Sequence, residues 1–560
     1  MRLIDPGQLT TCNTIHETIL ASCRKHSEKT AMTGSGKGGA RYSYADLERL
    51  IVHIAGALRN AGLGDGQRVG LLAENCPEWG VFYLAVLMAG GIIVPFDCSL
   101  KPLELAKFLR ISRIRFLACS EKRLDTARDV IELNGLPIET LKLECPIRED
   151  FRFQAEGGIF DVPRVGADDT AVLIYTSGTT GDPKGVVLTH GNIVSNLEGI
   201  VHSLDFYSDD IFFSVLPLHH TFEATCGLLM PLFLGLTIAY SRSLKSRDIF
   251  DGIRENRATC MVAVPLLYEK IHSAISRRMT EQPFFKKLTL GSLYAASKIG
   301  WRVRVKVGRT FFKGLREKAG LDTMRLFVSG GAPLPARVAE WFNLMGFTLL
   351  EGYGLTECSP VVSVNKPDDI RFGSVGPPLE NVELAIDSPA PDGIGEIILK
   401  APSASPGYLD NPEASAELLR SGWLYTGDLG KIEDGHLVIT GRKKNLIVTG
   451  AGKNIYPEEI ESELNLSPFI SESLILGRQR QNKTGEEVCA IIVPNLEQFD
   501  APANPPDHKP SPQQIREKIE TQVADVNRRL ADFKRISRFE IQFDELEKTS
   551  TKKIRRNLYK

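Results

Sequence analysis

The sequence predicts an α/β protein. A large N-terminal domain of parallel-type sheets covered by helices leads into a small β-rich subdomain, and a small α+β C-terminal domain follows. Three observations carry this. Apolar strand-like runs alternate with helical patterns over the first three quarters of the chain, the signature of helix-covered parallel sheets. After Asp387 the texture shifts to short strands and tight turns. Beyond Gly441–Asn445 a compact pattern of helices and strands begins. The 560 residues also exceed what one hydrophobic core accommodates.

In chain order, the expected strands are Arg68–Leu72, Ile92–Pro95, Val172–Tyr175, Met261–Val264 and Arg325–Ser329, with a helix over Tyr44–Ala61. The apolar stretches Val81–Phe96 and Cys226–Tyr240 fall short of the ~20 residues a membrane span needs. Gly90, Gly91 and Pro95 suit a buried helix turning into a buried strand, and Pro231 and Gly235 interrupt the second stretch. In the β-rich part, Gly395–Lys400 and His436–Thr440 read as strands and Asp434-Gly435 as a turn. A helix starts at Pro457 with Glu458, Glu459 and Glu461 in its first turns. Strands Ser473–Gly477 and Glu487–Val493, a Pro-rich loop over Asp500–Pro512, a helix Gln513–Phe533, a last strand and a basic tail complete the chain.

Composition excludes several function classes. The formal net charge is −1, so there is no bulk electrostatic case for nucleic acid. Ten cysteines without a C-x-x-C pair argue against a zinc site or a disulfide framework and for a reducing, cytoplasmic setting. The N-terminus has no long apolar run, so no signal peptide is expected.

The chemistry-bearing feature is the string from Leu173 to Gly185. The buried run Ala171–Tyr175 breaks into Thr176, Ser177, Gly178, Thr179, Thr180, Gly181, Asp182, Pro183, Lys184 and Gly185. Glycines let backbone N–H groups crowd an anion, hydroxyls add donors, and lysine adds charge. This is the composition of a polyphosphate cradle. It is not a Walker loop, since no Gly-Lys-Ser/Thr triplet closes it.

The string closely resembles the phosphate loop of the adenylate-forming superfamily, which includes acyl-CoA synthetases. Further segments resemble that family's motifs in the family's order: Arg41–Leu47, Val69–Pro95, Glu351-Gly-Tyr-Gly-Leu-Thr-Glu357, Tyr425-Thr-Gly-Asp428, Gly441–Ile447 and Lys548–Ile554. The resemblance implies an adenylation domain over 1–441, with its β-rich part at about 387–440, and a mobile C-terminal domain over 442–560 hinged near Lys444. It also implies a two-step reaction. ATP converts a carboxylate to an acyl-adenylate with loss of pyrophosphate, and a thiol then attacks. Cations and oriented donors must spread charge in the first step.

Residue by residue, the resemblance assigns Thr176, Ser177, Gly178, Thr179, Thr180, Gly181 and Lys184 to the β- and γ-phosphates, and Glu357 with Thr180 to magnesium. Thr356 reaches the α-phosphate. Tyr353, within Glu351, Gly352 and Gly354, stacks on adenine, and Gly330, Gly331 and Ala332 lie on the other ring face. Asp428 accepts both ribose hydroxyls, and Arg442 adds a ribose or phosphate contact. Lys553 aligns with the family's mobile catalytic lysine. The residue before it is Lys552 where glycine is usual, so Lys552 stays open as the alternative. Arg555, Arg556 and Lys560 read as a solvated basic tail. Gly450 and Gly452 line the pantetheine path of coenzyme A in the thioester state.

Leu216–Glu223 resembles the family's gate motif. His219 and His220 stand in its aromatic/His positions, with His220 as the preferred pocket residue. Adjacent histidines on a strand-like turn are expected to point apart, which argues against a metal pair. Phe222, Gly227 and Gly330 complete the expected acid pocket, and the small Ala224, Cys226 and Gly227 leave room for a long apolar tail. The segment 276–318 is basic and helix-like, with interleaved aromatic and aliphatic residues, and resembles bacterial long-chain enzymes. It suits docking on an anionic bilayer, but equally a solvated helix pair packing its apolar face on the body. The implied function is a long-chain fatty acid–CoA ligase using ATP, Mg2+ and coenzyme A. Transfer to an acyl carrier protein and a non-catalytic acyl-nucleotide sensor are the alternatives.

Overall fold

The computed structural model describes residues 2–36, 39–143, 161–176, 183–450, 452–479, 485–499, 510–548 and 554–559. The chain divides into two compact units, Met1–Leu384 with Leu399–Leu424, and Ala385–Ile398 with Tyr425–Lys560.

Two sheets build the first unit. One has eight strands in the order Val361–Val364, Thr348–Gly354, Leu326–Ser329, Cys260–Ala263, Ile211–Ser214, Thr237–Tyr240, Thr30–Thr33 and Arg41–Ser43. Its inner pairs are parallel and its two outermost pairs antiparallel. The other has seven, in the order Gly407–Tyr408, Lys184–Thr189, Thr170–Thr176, Ile92–Pro95, Arg68–Leu72, Phe116–Ser120 and Glu139–Leu143. Strands covered on both faces must be apolar throughout, and Phe116–Ser120 is buried at every position. The helix Tyr44–Asn60 starts where Ser43 and Asp46 form a reciprocal capping box. The helix Pro77–Met88 is buried along its whole length, which accounts for the first long apolar stretch. No helix among the described residues is long and apolar enough to cross a membrane.

The second apolar stretch brings an unexpected element. Ala224–Leu229 forms a π-helix, buried at all six positions, running into the short helix Met230–Phe233. Single π turns of this kind are uncommon and recur at functional sites.

In the second unit, Trp423–Glu433 and His436–Arg442 form an antiparallel hairpin closed by Asp434 and Gly435, both at positive φ. A three-stranded sheet follows, with Glu486–Pro494 antiparallel to Ile470–Gln479 and parallel to Arg538–Ile541. Helices Pro457–Leu464 and Pro512–Arg529 bury Ile460, Leu464, Ile515 and Ile519 against it. The second helix ends at Arg529 rather than Phe533. The chain turns back there because the Asn527 side chain accepts from Ile536 N–H at 2.8 Å and donates to Ile536 C=O at 3.1 Å.

The basic tail is corrected in one respect. Arg556 is not solvated: its guanidinium donates to the Glu461 carboxylate and, at 2.9 Å, to the carbonyl of Ile475. Glu461 is itself mostly covered, its side chain 13% exposed, and burial lifts its carboxyl to about 7 against the pull of Arg556.

Candidate active site

The strands on either side of the phosphate string pair with each other. Thr170–Thr176 and Lys184–Thr189 pair antiparallel, and the last register pair sets Thr176 opposite Lys184. Ser177, Gly178, Thr179, Thr180 and Gly181 lie outside the described residues. The neighbouring strand Gly407–Tyr408 pairs with Lys184–Thr189, Tyr408 opposite Val186. That pairing lets Tyr408 touch two predicted residues at once. Its hydroxyl donates to Glu357 Oε1 at 2.8 Å, and its ring lies 5.1 Å below the Lys184 ammonium. Sequence reasoning missed Tyr408, since nothing in the local pattern marks it; only the strand pairing does.

Glu357 sits in a single 3-10 turn, Thr356–Cys358, directly after the strand Thr348–Gly354. This strand carries Glu351, Gly352, Tyr353 and Gly354. Burial pushes the Glu351 carboxyl up to about 8, so it is a neutral acid at pH 7. Gly354 has a packing reason of its own, because a Cβ there would stand 2.1 Å from the Pro360 carbonyl oxygen. The adjacent strand ends at Ser329, in register with Glu351, so Gly330, Gly331 and Ala332 emerge beside the Glu351–Gly354 segment.

The expected acid pocket is partly assembled in the same unit. A Cβ on Gly330 would meet the Phe222 ring at 3.0 Å, so glycine there permits the ring's close approach. His219 and His220 do not point apart: their ring centroids are 4.0 Å from each other. They sit in a turn closed by His220 N–H to Pro217 C=O, not on a strand, so alternation of side chains does not apply. Burial holds the His219 imidazole below its usual pKa, opposed by Asp97 at 3.7 Å. Gly227 faces Glu223, whose carboxyl carbon would lie 2.5 Å from an added Cβ. Glu223 is fully buried, accepts from the Ser214 hydroxyl at 2.5 Å, and is lifted by burial to about 8.

The second unit holds the expected ribose and hinge residues. Asp428 and Arg442 are register partners across the hairpin, with Nε of Arg442 2.7 Å from Oδ1 of Asp428. A cavity of about 290 Å³ is lined by Thr426, Gly427, Arg442, Lys443 and Lys444. Three cations beside one buried carboxylate fit a polyanion that also carries a diol. Lys443 is braced by Glu396 at 2.7 Å, which also accepts from Gly427 N–H at 3.1 Å. A larger cavity of about 590 Å³ in the first unit, lined by Glu380–Glu383, Leu399–Pro402 and Leu424 among others, contains none of the predicted residues. Gly450 and Gly452 flank a turn between the short strands Ile447–Val448 and Asn454–Ile455, with Gly452 at φ +70°. Lys552 and Lys553 lie outside the described residues, while their neighbours Lys548 and Ile554 pair as an antiparallel bridge.

Known proteins match this chain over most of its length. Residues 19–409 match the AMP-binding enzyme family and residues 444–560 match the AMP-binding enzyme C-terminal domain. A feruloyl-CoA synthase of an Amycolatopsis species is 30% identical over 82% of this chain and 84% of its own length. The long-chain-fatty-acid–CoA ligase heimdall of Drosophila melanogaster is 29% identical over 86% of this chain and 78% of its own. The ATP-bound crystal structure of MatB from Rhodopseudomonas palustris superposes with a TM-score of 0.76 at 28% identity, covering 98% of both chains. The chain belongs to the AMP-binding enzyme family, as an acid–CoA ligase of the AMP-forming type.

Proposed function

We propose that this ligase activates long-chain fatty acids, with ATP and Mg2+ in the first step and coenzyme A as the thiol acceptor. The supporting observation is an apolar wall in the segment that follows the gate histidines in the chain. Small residues Ala224, Cys226 and Gly227 lie in the buried π-helix, and Leu228, Leu229, Met230, Leu232, Phe233 and Leu234 follow with almost no exposed surface. An acyl tail entering such surroundings gains about 0.8 kcal/mol per buried methylene. Glu223 does not spoil this wall, because burial keeps its carboxyl neutral.

The roles follow from charge. Lys184 and the Thr176–Gly181 string hold the β- and γ-phosphates. Glu357, steadied by Tyr408, would hold a magnesium ion together with Thr180, and such an ion would supply positive charge beside the pyrophosphate leaving group. Asp428 takes the ribose hydroxyls and Arg442 pairs with it. Lys553, on the C-terminal domain, stabilises the first transition state and then withdraws by rotation near Lys444, and the Gly450–Gly452 turn lines the thiol's path.

A pyrophosphate-release screen from acetate to oleate, including ferulate, with and without coenzyme A, tests this reading. The expected result is turnover rising with chain length and acyl-CoA formed with coenzyme A alone. A preference for short or aromatic acids overturns the substrate, and product only with acyl carrier protein overturns the acceptor.

A further inference from the structure

The helix Phe284–Arg302 has two apolar faces, and only one of them is covered. At about 100° per residue, Leu290, Leu293 and Tyr294 share one side of the helix. That side packs on the core formed by Tyr268, Phe327, Phe342 and their neighbours. Ser297 on the same side donates to the Leu344 carbonyl at 2.7 Å, pinning the helix to the body. Phe284, Phe285, Leu288 and Ile299 fall on the other side, within an arc of about 100° centred about 180° away. They are 73%, 80%, 60% and 65% exposed. A helix that merely packs its apolar face on the body is polar outward. This one is not, so a solvated helix pair does not account for it. Four large side chains on one outward face make a patch of the sort that marks an interaction surface.

The charge around the patch selects the occupant. Residues 276–318 carry twelve Lys and Arg against two Glu, in a chain whose formal net charge is −1. Some are spent internally: Arg277 pairs with Glu281, Lys298 with Glu340, Lys306 with Asp368, Lys313 with Glu317, and Arg316 is buried on backbone carbonyls. Arg278, Lys286, Lys287, Arg302 and Arg304 are exposed and pair with no carboxylate among the described residues. At the same helical pitch Arg302 falls on the exposed apolar side and Lys287 at its border, whereas Lys286 falls towards the covered side. A second copy of this chain docked face to face would set these cations against themselves. Bulky apolar groups ringed by unpaired cations match the boundary between acyl chains and anionic headgroups.

We infer that the outward face of the helix Phe284–Arg302 is a docking surface for an anionic lipid bilayer, with Phe284, Phe285 and Leu288 entering the acyl boundary and Lys287 and Arg302 at the headgroups. The inference deepens the long-chain reading but stands on exposure and charge. An acid screen favouring short acids would therefore leave vesicle binding intact, and the two can fail separately.

The test is co-sedimentation of the full chain with vesicles of phosphatidylcholine alone and of phosphatidylcholine mixed with phosphatidylglycerol. Binding to the mixed vesicles, weakened by salt, is expected. F284D/F285D and, separately, K287E/R302E should each reduce it about tenfold or more while leaving pyrophosphate release with a soluble short acid unchanged. Equal binding to both vesicle types, no binding to either, or unaltered binding by both variants overturns the inference. So does a shift from dimer to monomer in F284D/F285D, which would assign the patch to a second copy.

Discussion

Tyr408→Phe isolates one hydrogen bond at the candidate magnesium carboxylate. The hydroxyl donates to Glu357 Oε1 at 2.8 Å, and the ring lies 5.1 Å from the Lys184 ammonium. Phenylalanine keeps the ring and removes only the donor. A hydrogen bond to a charged group contributes about 1.5–3 kcal/mol. Glu357 is only half-buried, so water replaces part of the lost bond and the lower end applies. At 1.36 kcal/mol per factor of ten, kcat/KM for ATP should fall about tenfold. Tyr408→Leu also removes the cation–π contact, about 0.5–1 kcal/mol at an open site, and should cost a further two- to fivefold or so. The assay is fatty-acid-dependent pyrophosphate release with ATP and Mg2+ titrated separately, beside thermal melting to show that both variants fold. The loss should appear in the Mg2+ requirement as well as in ATP. Tyr408→Phe with unchanged ATP and Mg2+ dependence would refute the role given to Glu357. Equal activity of the two variants would remove the contact with Lys184 from the argument.

Lys553→Ala should abolish adenylation yet spare thioester formation from supplied acyl-adenylate, whereas Lys444→Pro should slow the thioester step more; equal loss of both half-reactions in each variant contradicts the two roles. Arg556→Gln, which cuts the tail's tie to Glu461, should slow adenylation more than the thioester step, and an unchanged ratio would make that tie purely structural. Gly227→Val forces a side chain into the Glu223 carboxyl, costing about 1–3 kcal/mol of stability, and should depress turnover of long acids relative to short ones; a melting temperature unchanged from the parent is the contrary result. Stability should also be bounded on both sides in pH. Glu223 and Glu351 are lifted from 4.5 to about 8, so the stability they contribute is full below about 4.5 and lost as pH rises through 8. His16 and His190 are lowered from 6.5 to about 4 and about 3, so theirs is full above about 6.5 and lost as pH falls through those values. The sum is highest near weakly acidic pH and drops by a few kcal/mol between about pH 6.5 and 8.5; a urea midpoint that rises over that interval contradicts it.

The architecture was legible because each element announces itself locally. Arg68–Leu72 and Ile92–Pro95 are short apolar runs bounded by breakers, and the strands fall on those residues. The helix from Tyr44 opens on a capping box that can be read as Ser43 followed three residues later by Asp46. The candidate site was legible to the extent that its groups lie in contiguous strings. Thr176 and Lys184 are eight positions apart and become register partners because the strands that carry them pair antiparallel. What could not be read are relations between strings. Tyr408 lies over two hundred positions after Lys184, and only a tertiary strand pairing puts its ring under that ammonium. The histidine pair was misjudged for a related reason. Its geometry depends on whether a turn or a strand carries it, and Pro217 and the following helix decide for a turn.

The same limit explains the two basic features near the surface. Arg556 and Lys287 look alike in the sequence, each a cation in a basic stretch with few acids at hand. Folding separates them. Arg556 meets Glu461, a mostly covered carboxylate nearly a hundred positions earlier, and becomes a tether for the tail. Lys287 meets no carboxylate among the described residues, and near it Phe284 and Phe285 remain in water although the helix has a covered apolar face to spare. Helical period tells which side chains share a face but not which faces the body will cover. An apolar face left bare amid unpaired cations is costly in water. A partner that takes up both the rings and the charge removes that cost, and an anionic bilayer offers both in one surface.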